Sequence, residues 1–246
     1  MKQFGIVAWG IAAALAVSAC SGSSSMDEDD ARAALDTVND INDQLESGDG
    51  VGMMEVDENA GPAERVTAES YNIITSDDRR FLRQATQAGM IELLEFRNVT
   101  PSSPVLRRCD AIAALEAEAD ENATHFPERI EQIEAMARRV IDNPRDYQDF
   151  LTGFRGGQAD GARNYRRNWE LNADIAAAAA DMCRVLARGR WQLEGGQPAF
   201  TNDADLAEFN GHAARLSAAQ MELNQSVQRA MAQSRSRAQN MERSLR

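Results

Sequence analysis

Apolar residues recur along this chain at three-four spacing in several blocks, separated by short stretches of Gly, Pro, Ser and Asn. That spacing puts side chains on one face of an α-helix. Leu35, Val38, Ile41 and Leu45 form the first such stripe, behind a Ser25-x-x-Glu28 capping box and before Gly48. Residues 48–66 carry four Gly, a Pro and no period, which predicts a loop. Ser76-Asp77-Asp78 opens a second helix, with Phe81, Leu82, Ala85, Leu93 and Phe96 on its stripe and an end near Asn98. TPSSP breaks the pattern, and Ser103 with Pro104 starts a third helix, where proline costs no hydrogen bond.

A fourth helix begins at Pro127, carries Ile130, Ile133, Ala137 and Val140, and stops at Asn143-Pro144. A short fifth covers about 145–154, before Gly156, Gly157 and Gly161. The sixth covers about 160–188, and its stripe at 165, 169, 172, 176, 179, 183 and 186 includes Trp169 and Cys183. Its alanine run, 176–180, leaves room for a close neighbour. Between Arg190 and Phe200 the period changes to two around Gly195-Gly196, which predicts a tight β-hairpin. From Asp205 onward a heptad seam runs through Leu206, Phe209, Ala213, Leu216, Leu223, Val227, Ala230 and Met241, with Gln220 and Ser234 as polar interruptions. One long helix follows, its first half packing on the bundle and its last half projecting. The expected fold is all-α, a multi-helix bundle with one short hairpin at about 190–200 and a long C-terminal helix.

The N-terminus changes the picture. Lys2 precedes Phe4–Val17, 14 uncharged and mostly apolar residues, the layout of a secretory signal and short of the roughly 20 residues of a membrane span. Val17-Ser18-Ala19-Cys20 then resembles the lipobox of bacterial lipoprotein precursors. The resemblance implies cleavage before Cys20, lipidation of its thiol and acylation of the new terminus. Several acyl chains hold a protein at a bilayer where one binds only reversibly. Ser21 in place of the Asp that favours inner-membrane retention points to the outer membrane, facing the periplasm. The expected organisation is a signal over 1–19, a lipidated tether over 20–25, a bundle over 26–204 and the C-terminal helix over 205–246.

Removal of Lys2, the only lysine, leaves 25 Arg against 39 Asp and Glu, a net charge of −14. That balance argues against nucleic acid, whose affinity rests on cationic contacts to phosphate. With Cys20 lipidated, Cys109 and Cys183 remain, both on inward-facing stripes. In an oxidising compartment the simplest reading is a disulfide, the alternative being two separate buried thiols.

Candidate chemistry is sparse. Glu121/His125 and Glu208/His212 are the two Glu-x-x-x-His pairs and use both histidines; on a helix each could present a carboxylate and an imidazole to one metal ion. Gly153–Gly161, followed by Arg163, Arg166 and Arg167, reads as an anion cradle or as an interhelical loop with a charged flank. Gly-x-Ser-x-Gly, Ser-x-x-Lys, His-Glu-x-x-His and Cys-x-x-Cys do not occur, so no enzyme class is expected. The run Asp78-Arg79-Arg80-Phe81-Leu82, continuing through Ala85, Ala88, Gly89, Met90 and Glu92, is similar to the opening helix of a family of exported bacterial proteins of unknown function. That resemblance implies a ferritin-like four-helix fold. The expectation is an envelope lipoprotein without a cofactor, acting as a non-enzymatic interaction or accessory module. Its lipid anchor meets the membrane, and its C-terminal helix meets a protein partner or a second copy. A metal- or small-ligand-binding bundle is the alternative.

Overall fold

Nearly every block of three-four spacing is helical. The structure, a computed structural model, describes residues 28–47, 52–96 and 98–245. The signal-like segment, Cys20 and Ser25 lie outside the described residues. In chain order the elements are α1 (Glu28–Ser47), α2 (Pro62–Ile74), α3 (Ser76–Ala88), α4 (Met90–Glu95), a 3-10 turn (Pro104–Arg107), α5 (Cys109–Asn122), α6 (Phe126–Val140), α7 (Pro144–Gly156), α8 (Gln158–Ala187), β1 (Trp191–Glu194), β2 (Gln197–Phe200) and α9 (Asp203–Ser244). The protein is all-α with one antiparallel hairpin and a long C-terminal helix.

Four local expectations are corrected. The window read as a loop over 48–66 contains the start of α2, at Pro62. Its cap is not local: Asp30 of α1 accepts from the Ala63 N–H at 3.2 and 3.0 Å. The second helix does not reach Asn98, because Gly89 adopts φ +86° between α3 and α4. A Cβ at 89 would also stand 2.9 Å from Val105 Cγ2, so a side chain is excluded by space as well as by backbone. The segment after Ser103 makes a 3-10 turn, and α5 begins only at Cys109. Ser103 does not cap it; its hydroxyl accepts from the Thr100 N–H.

The fourth correction concerns α9. Phe209, Leu216, Leu223 and Ala230 are buried at steps of seven and Ser234 and Met241 continue the expected seam, while Met231 and Ala238, one position beyond 230 and 237, are buried beside it. The last half does not project.

By its contacts the chain divides into two units. One comprises Arg80–Ala123 and Asn168–Asn224; the other comprises the described residues up to Arg79, Thr124–Arg167 and Gln225–Arg246. Helices α3, α8 and α9 each give residues to both.

In the first unit, Cys109 and Cys183 form a disulfide, Cα–Cα 5.5 Å, joining two segments far apart in sequence. From Asn168 to Leu186, α8 is buried on most of its circumference, with Ala176, Ala178, Ala179 and Ala180 inside, because alanine lets neighbouring backbones approach on every side. Phe81 meets Trp169 edge-on, with ring centroids 5.3 Å apart. In the hairpin, Trp191 pairs with Phe200, and Gly195 and Gly196 take φ +59° and +79°, as a two-residue turn of this hand requires. Phe96 and Phe209 close over it, 5.7 Å from Trp191 and 5.2 Å from Phe200 respectively. Asp205, almost fully buried, accepts from Arg188 at 2.7 Å, Arg190 at 2.8 Å and Asn202 at 2.7 Å, so that the hairpin's entry and the start of α9 share one carboxylate.

In the second unit, α1 packs on α2, and α2 on α6. Ala31, Ala34, Leu35 and Val38 of α1 form one cluster with Ala63, Ala238 and Met241. Arg235 of α9 pairs with Glu46 of α1. Helix α7 begins at Asn143, whose side chain accepts from the Arg145 N–H at 2.9 Å, and joins α6 through two Arg155–Glu134 hydrogen bonds of 2.9 and 2.8 Å.

Candidate functional site

The most concentrated group of polar chemistry in the second unit lies where α2 ends and α3 begins. Thr75 alone separates the two helices. The last carbonyls of α2 are satisfied by the residues that follow. Thr75 Oγ1 donates to Tyr71 O at 2.7 Å, Ser76 Oγ to Ile73 O at 2.8 Å and Arg79 Nη2 to Asn72 O at 2.7 Å. A guanidinium at the C-terminal end of one helix and two carboxyls in the first turn of the next both match the helix dipoles.

Asp77 is 1% exposed and saturated with donors. Arg129 of α6 grips it with both arms, Nε to Oδ2 at 2.9 Å and Nη2 to Oδ1 at 2.8 Å. Tyr165 of α8 donates its hydroxyl to Oδ2 at 3.0 Å, and His125 Nδ1 lies 3.3 Å from the same oxygen. Tyr165 is held in turn by Phe126, ring centroid to centroid 5.5 Å. Burial opposes the charge of Asp77, yet the hydrogen bonds and charge of Arg129, the Tyr165 hydroxyl and His125 outweigh it and hold the carboxyl below its ordinary range. Arg129 responds in kind: burial works against its charge and Asp77 more than restores it. A carboxylate shared in this way ties α3 to α6 and α8 and orients an imidazole. With its lone pairs taken up and its charge neutralised by a bidentate guanidinium, it is poorly placed to abstract a proton.

Its neighbour is in the opposite state. Asp78 is 8% exposed, and among the described residues no hydrogen bond or ion pair reaches it. Burial first, and the charge of Asp77 second, push its carboxyl well above the ordinary range, with Arg79 opposing. Tyr71 of α2 is fully buried, its hydroxyl has no hydrogen-bond partner, and burial followed by the charge of Asp78 pushes it up to about 12.

The residues singled out by spacing fall elsewhere or in other roles. Glu121 sits in the last turn of α5, which ends at Asn122, whereas His125 caps α6. The helix assumed to carry both is broken between them, and His125 faces Asp77. Glu208 and His212 do share α9, but Glu208 is held by Arg188 at 2.6 and 2.8 Å. His212 Nδ1 lies 3.5 Å from Asp181, a carboxylate it shares with Arg184 and Arg215. No three His, Cys, Asp or Glu side chains converge as a ligand set among the described residues. Gly156 and Gly157 form the junction of α7 and α8, with Arg163 paired to Asp160 on α8 itself.

Spacing missed the Asp77 cluster because its members lie 48, 52 and 88 positions apart. The one local signal is the i, i+4 relation of His125 and Arg129. Asp77 itself reads as an ordinary acidic first turn. No protein-family model, curated protein or solved structure matches this chain.

Proposed function

We propose that this chain is a lipid-anchored helical protein of the bacterial envelope, held at the periplasmic face of the outer membrane and acting there as a non-enzymatic interaction module. The observation that carries the reading is the division of the three cysteines. Cys109 and Cys183 are bonded to each other, which leaves Cys20, placed directly after the apolar run and at the end of the lipobox-like Val17-Ser18-Ala19, as the thiol available for lipid. A disulfide of this kind also belongs to an oxidising compartment.

As such a module, the protein offers a polar surface. The apolar stripe of α9 is covered from Phe209 to Met241, so a partner meets its charged outer face and reads charge and shape more than apolar area.

The test is expression in a bacterial host with intact-mass measurement of the membrane-extracted protein. The expected result is a mature chain beginning at Cys20 and carrying acyl mass, with Cys20→Ala found unacylated in the soluble periplasmic fraction. A Cys20→Ala protein that stays with membranes and keeps the acyl mass would overturn the anchor. Crosslinking in intact cells, expected to capture one recurrent protein dependent on the outer face of α9, tests the interaction role. Capture unchanged by charge reversal on that face counts against it.

A further inference from the structure

Between Ala207 and Ala232 of α9, every Asp, Glu and Arg side chain falls on one flank of the helix. Glu208, Arg215, Glu222 and Arg229 stand at steps of seven and alternate in sign, so the helical period sets them in one row along the axis. Beside that row runs a second line of Gly211, Ala214, Ala218, Met221, Gln225 and Gln228, at alternating steps of three and four. All six are exposed and none is charged. The line lies opposite the buried stripe of Phe209, Leu216, Leu223 and Ala230. Met221 is 58% exposed, and a Cβ at Gly211 would meet nothing within 4 Å.

We propose that this outer line of α9 is the contact surface for a second copy of the chain, packed antiparallel. The inference rests on the reading of α9's outer face as an interaction surface and names what meets it. About a two-fold axis between Ala219 and Gln220, Ala218 faces Met221 of the second copy, Ala214 faces Gln225 and Gly211 faces Gln228. Each level then sets a small side chain against a long one, as close helix packing requires. Charge selects the direction and the register. An antiparallel pair brings the charged flank of one copy against the same flank of the other, so Glu208 meets Arg229 of the second copy and Arg215 meets Glu222, each twice by symmetry. Sliding one copy by seven residues in one direction opposes Glu208 to Glu222 and Arg215 to Arg215. Sliding it in the other opposes Arg215 to Arg229 and Glu222 to Glu222. A parallel pair sets the flank against Asn210, Ser217 and Asn224, which offer no charge. Arg188 holds Glu208 and Asp181 holds Arg215 from α8, yet the two side chains remain 42% and 57% exposed. Charge pairs of this exposed kind specify the arrangement more than they strengthen it.

Disulfide trapping of the full chain, expressed in a bacterial host, tests this. Ala214→Cys and Gln225→Cys in one chain stand 11 positions apart, roughly 16 Å along the helix, too far to bridge each other. Mild oxidation of that double variant is expected to give a covalent dimer. Ala214→Cys alone, which only a parallel pair would bridge, is expected to stay monomeric. Adding Arg215→Glu to the double variant turns two pairs from attractive to repulsive and is expected to weaken the dimer about tenfold. Adding Glu222→Arg as well is expected to restore it. No trapped dimer, a dimer from Ala214→Cys alone, or no recovery with Glu222→Arg overturns the proposal. Sedimentation of the unaltered chain in detergent covers variants that do not fold: a dimer is expected, and a monomer at all concentrations overturns the second copy. If crosslinking in cells then captures a different protein on this face, the second copy fails and the interaction role stands; if it captures none, both fail.

Discussion

The carboxylate of Asp30 occupies the space that a side chain on Gly61 would need: a Cβ built at 61 overlaps Oδ1 and Cγ of Asp30. The same carboxylate caps α2 by accepting from the Ala63 N–H. Gly61 has φ −63°, so glycine is favoured here by the Asp30 side chain packed against it and not by its own backbone. Gly61→Ala is therefore expected to destabilise the second unit by about 1–3 kcal/mol, and Asp30→Ala by about 1 kcal/mol through loss of the cap. The double variant should cost less than the two singles added, because once the carboxylate is gone the methyl has room. Urea midpoints of the three variants measure this, and strict additivity would contradict it.

Asp77 is buried and the Arg129 side chain is 11% exposed, and removing one leaves the other without its opposite charge. Arg129→Met or Asp77→Leu should each lower stability by about 3–5 kcal/mol, and the two together by less than either alone. Tyr165→Phe, which removes one hydrogen bond to a carboxylate, should cost about 1.5–3 kcal/mol. Chemical denaturation read by circular dichroism separates these cases.

Acid should weaken this lock. The folded ionisation of Asp77 lies below its ordinary value, so its contribution is present above the unfolded value, about 3.9, and disappears as pH falls through the folded one. The stability difference between the wild type and Asp77→Asn is expected to be constant above that range and to shrink on acidification below it. Denaturation midpoints from pH 6 to pH 2 provide the check, and a difference that grows on acidification would refute the assignment.

Reduction should act on the first unit. The Cys109–Cys183 bond closes a span of 74 residues, for which the chain-entropy account gives roughly 4 kcal/mol. Cys109→Ser with Cys183→Ser, or wild type in a thiol reductant, should unfold at correspondingly lower urea. Peptide mapping without reduction should recover the crosslinked pair.

Gly89 offers a contrast with Gly61. Its φ of +86° and the 2.9 Å approach to Val105 both exclude a side chain, so Gly89→Ala should destabilise by more than the roughly 1 kcal/mol that a left-handed backbone alone costs. Pairing it with Val105→Ala should recover only the steric part. Thermal melting of the single and double variants gives the partition.

The helices over 28–47, 126–140, 144–156, 158–187 and 203–244, the hairpin at Gly195-Gly196, the inward stripe on α8 and the pairing partners Cys109 and Cys183 were legible in the order of residues, because each rests on local spacing or on simple elimination. Three-four recurrence states which face of a helix is apolar whatever covers it. The start of α2 was hidden because its cap is Asp30, 33 positions away, and a local window over 48–66 contains only glycines and a proline. The break at Gly89 was hidden because an isolated glycine in a helical pattern reads the same whether or not Val105 stands beside it.

The sequence by itself determined the helical class, the apolar faces and the lipobox-like terminus, all properties of near neighbours along the chain. The tertiary structure alone decided that the last half of α9 is covered by α1 and that Asp77 is satisfied while Asp78 is not. Those outcomes depend on which side chains arrive from distant segments, Arg129, Tyr165 and Ala31 among them. Two identical residues at adjacent positions have the same propensities; only the donors and the burial that folding brings to each can make one a saturated anion and leave the other without a partner.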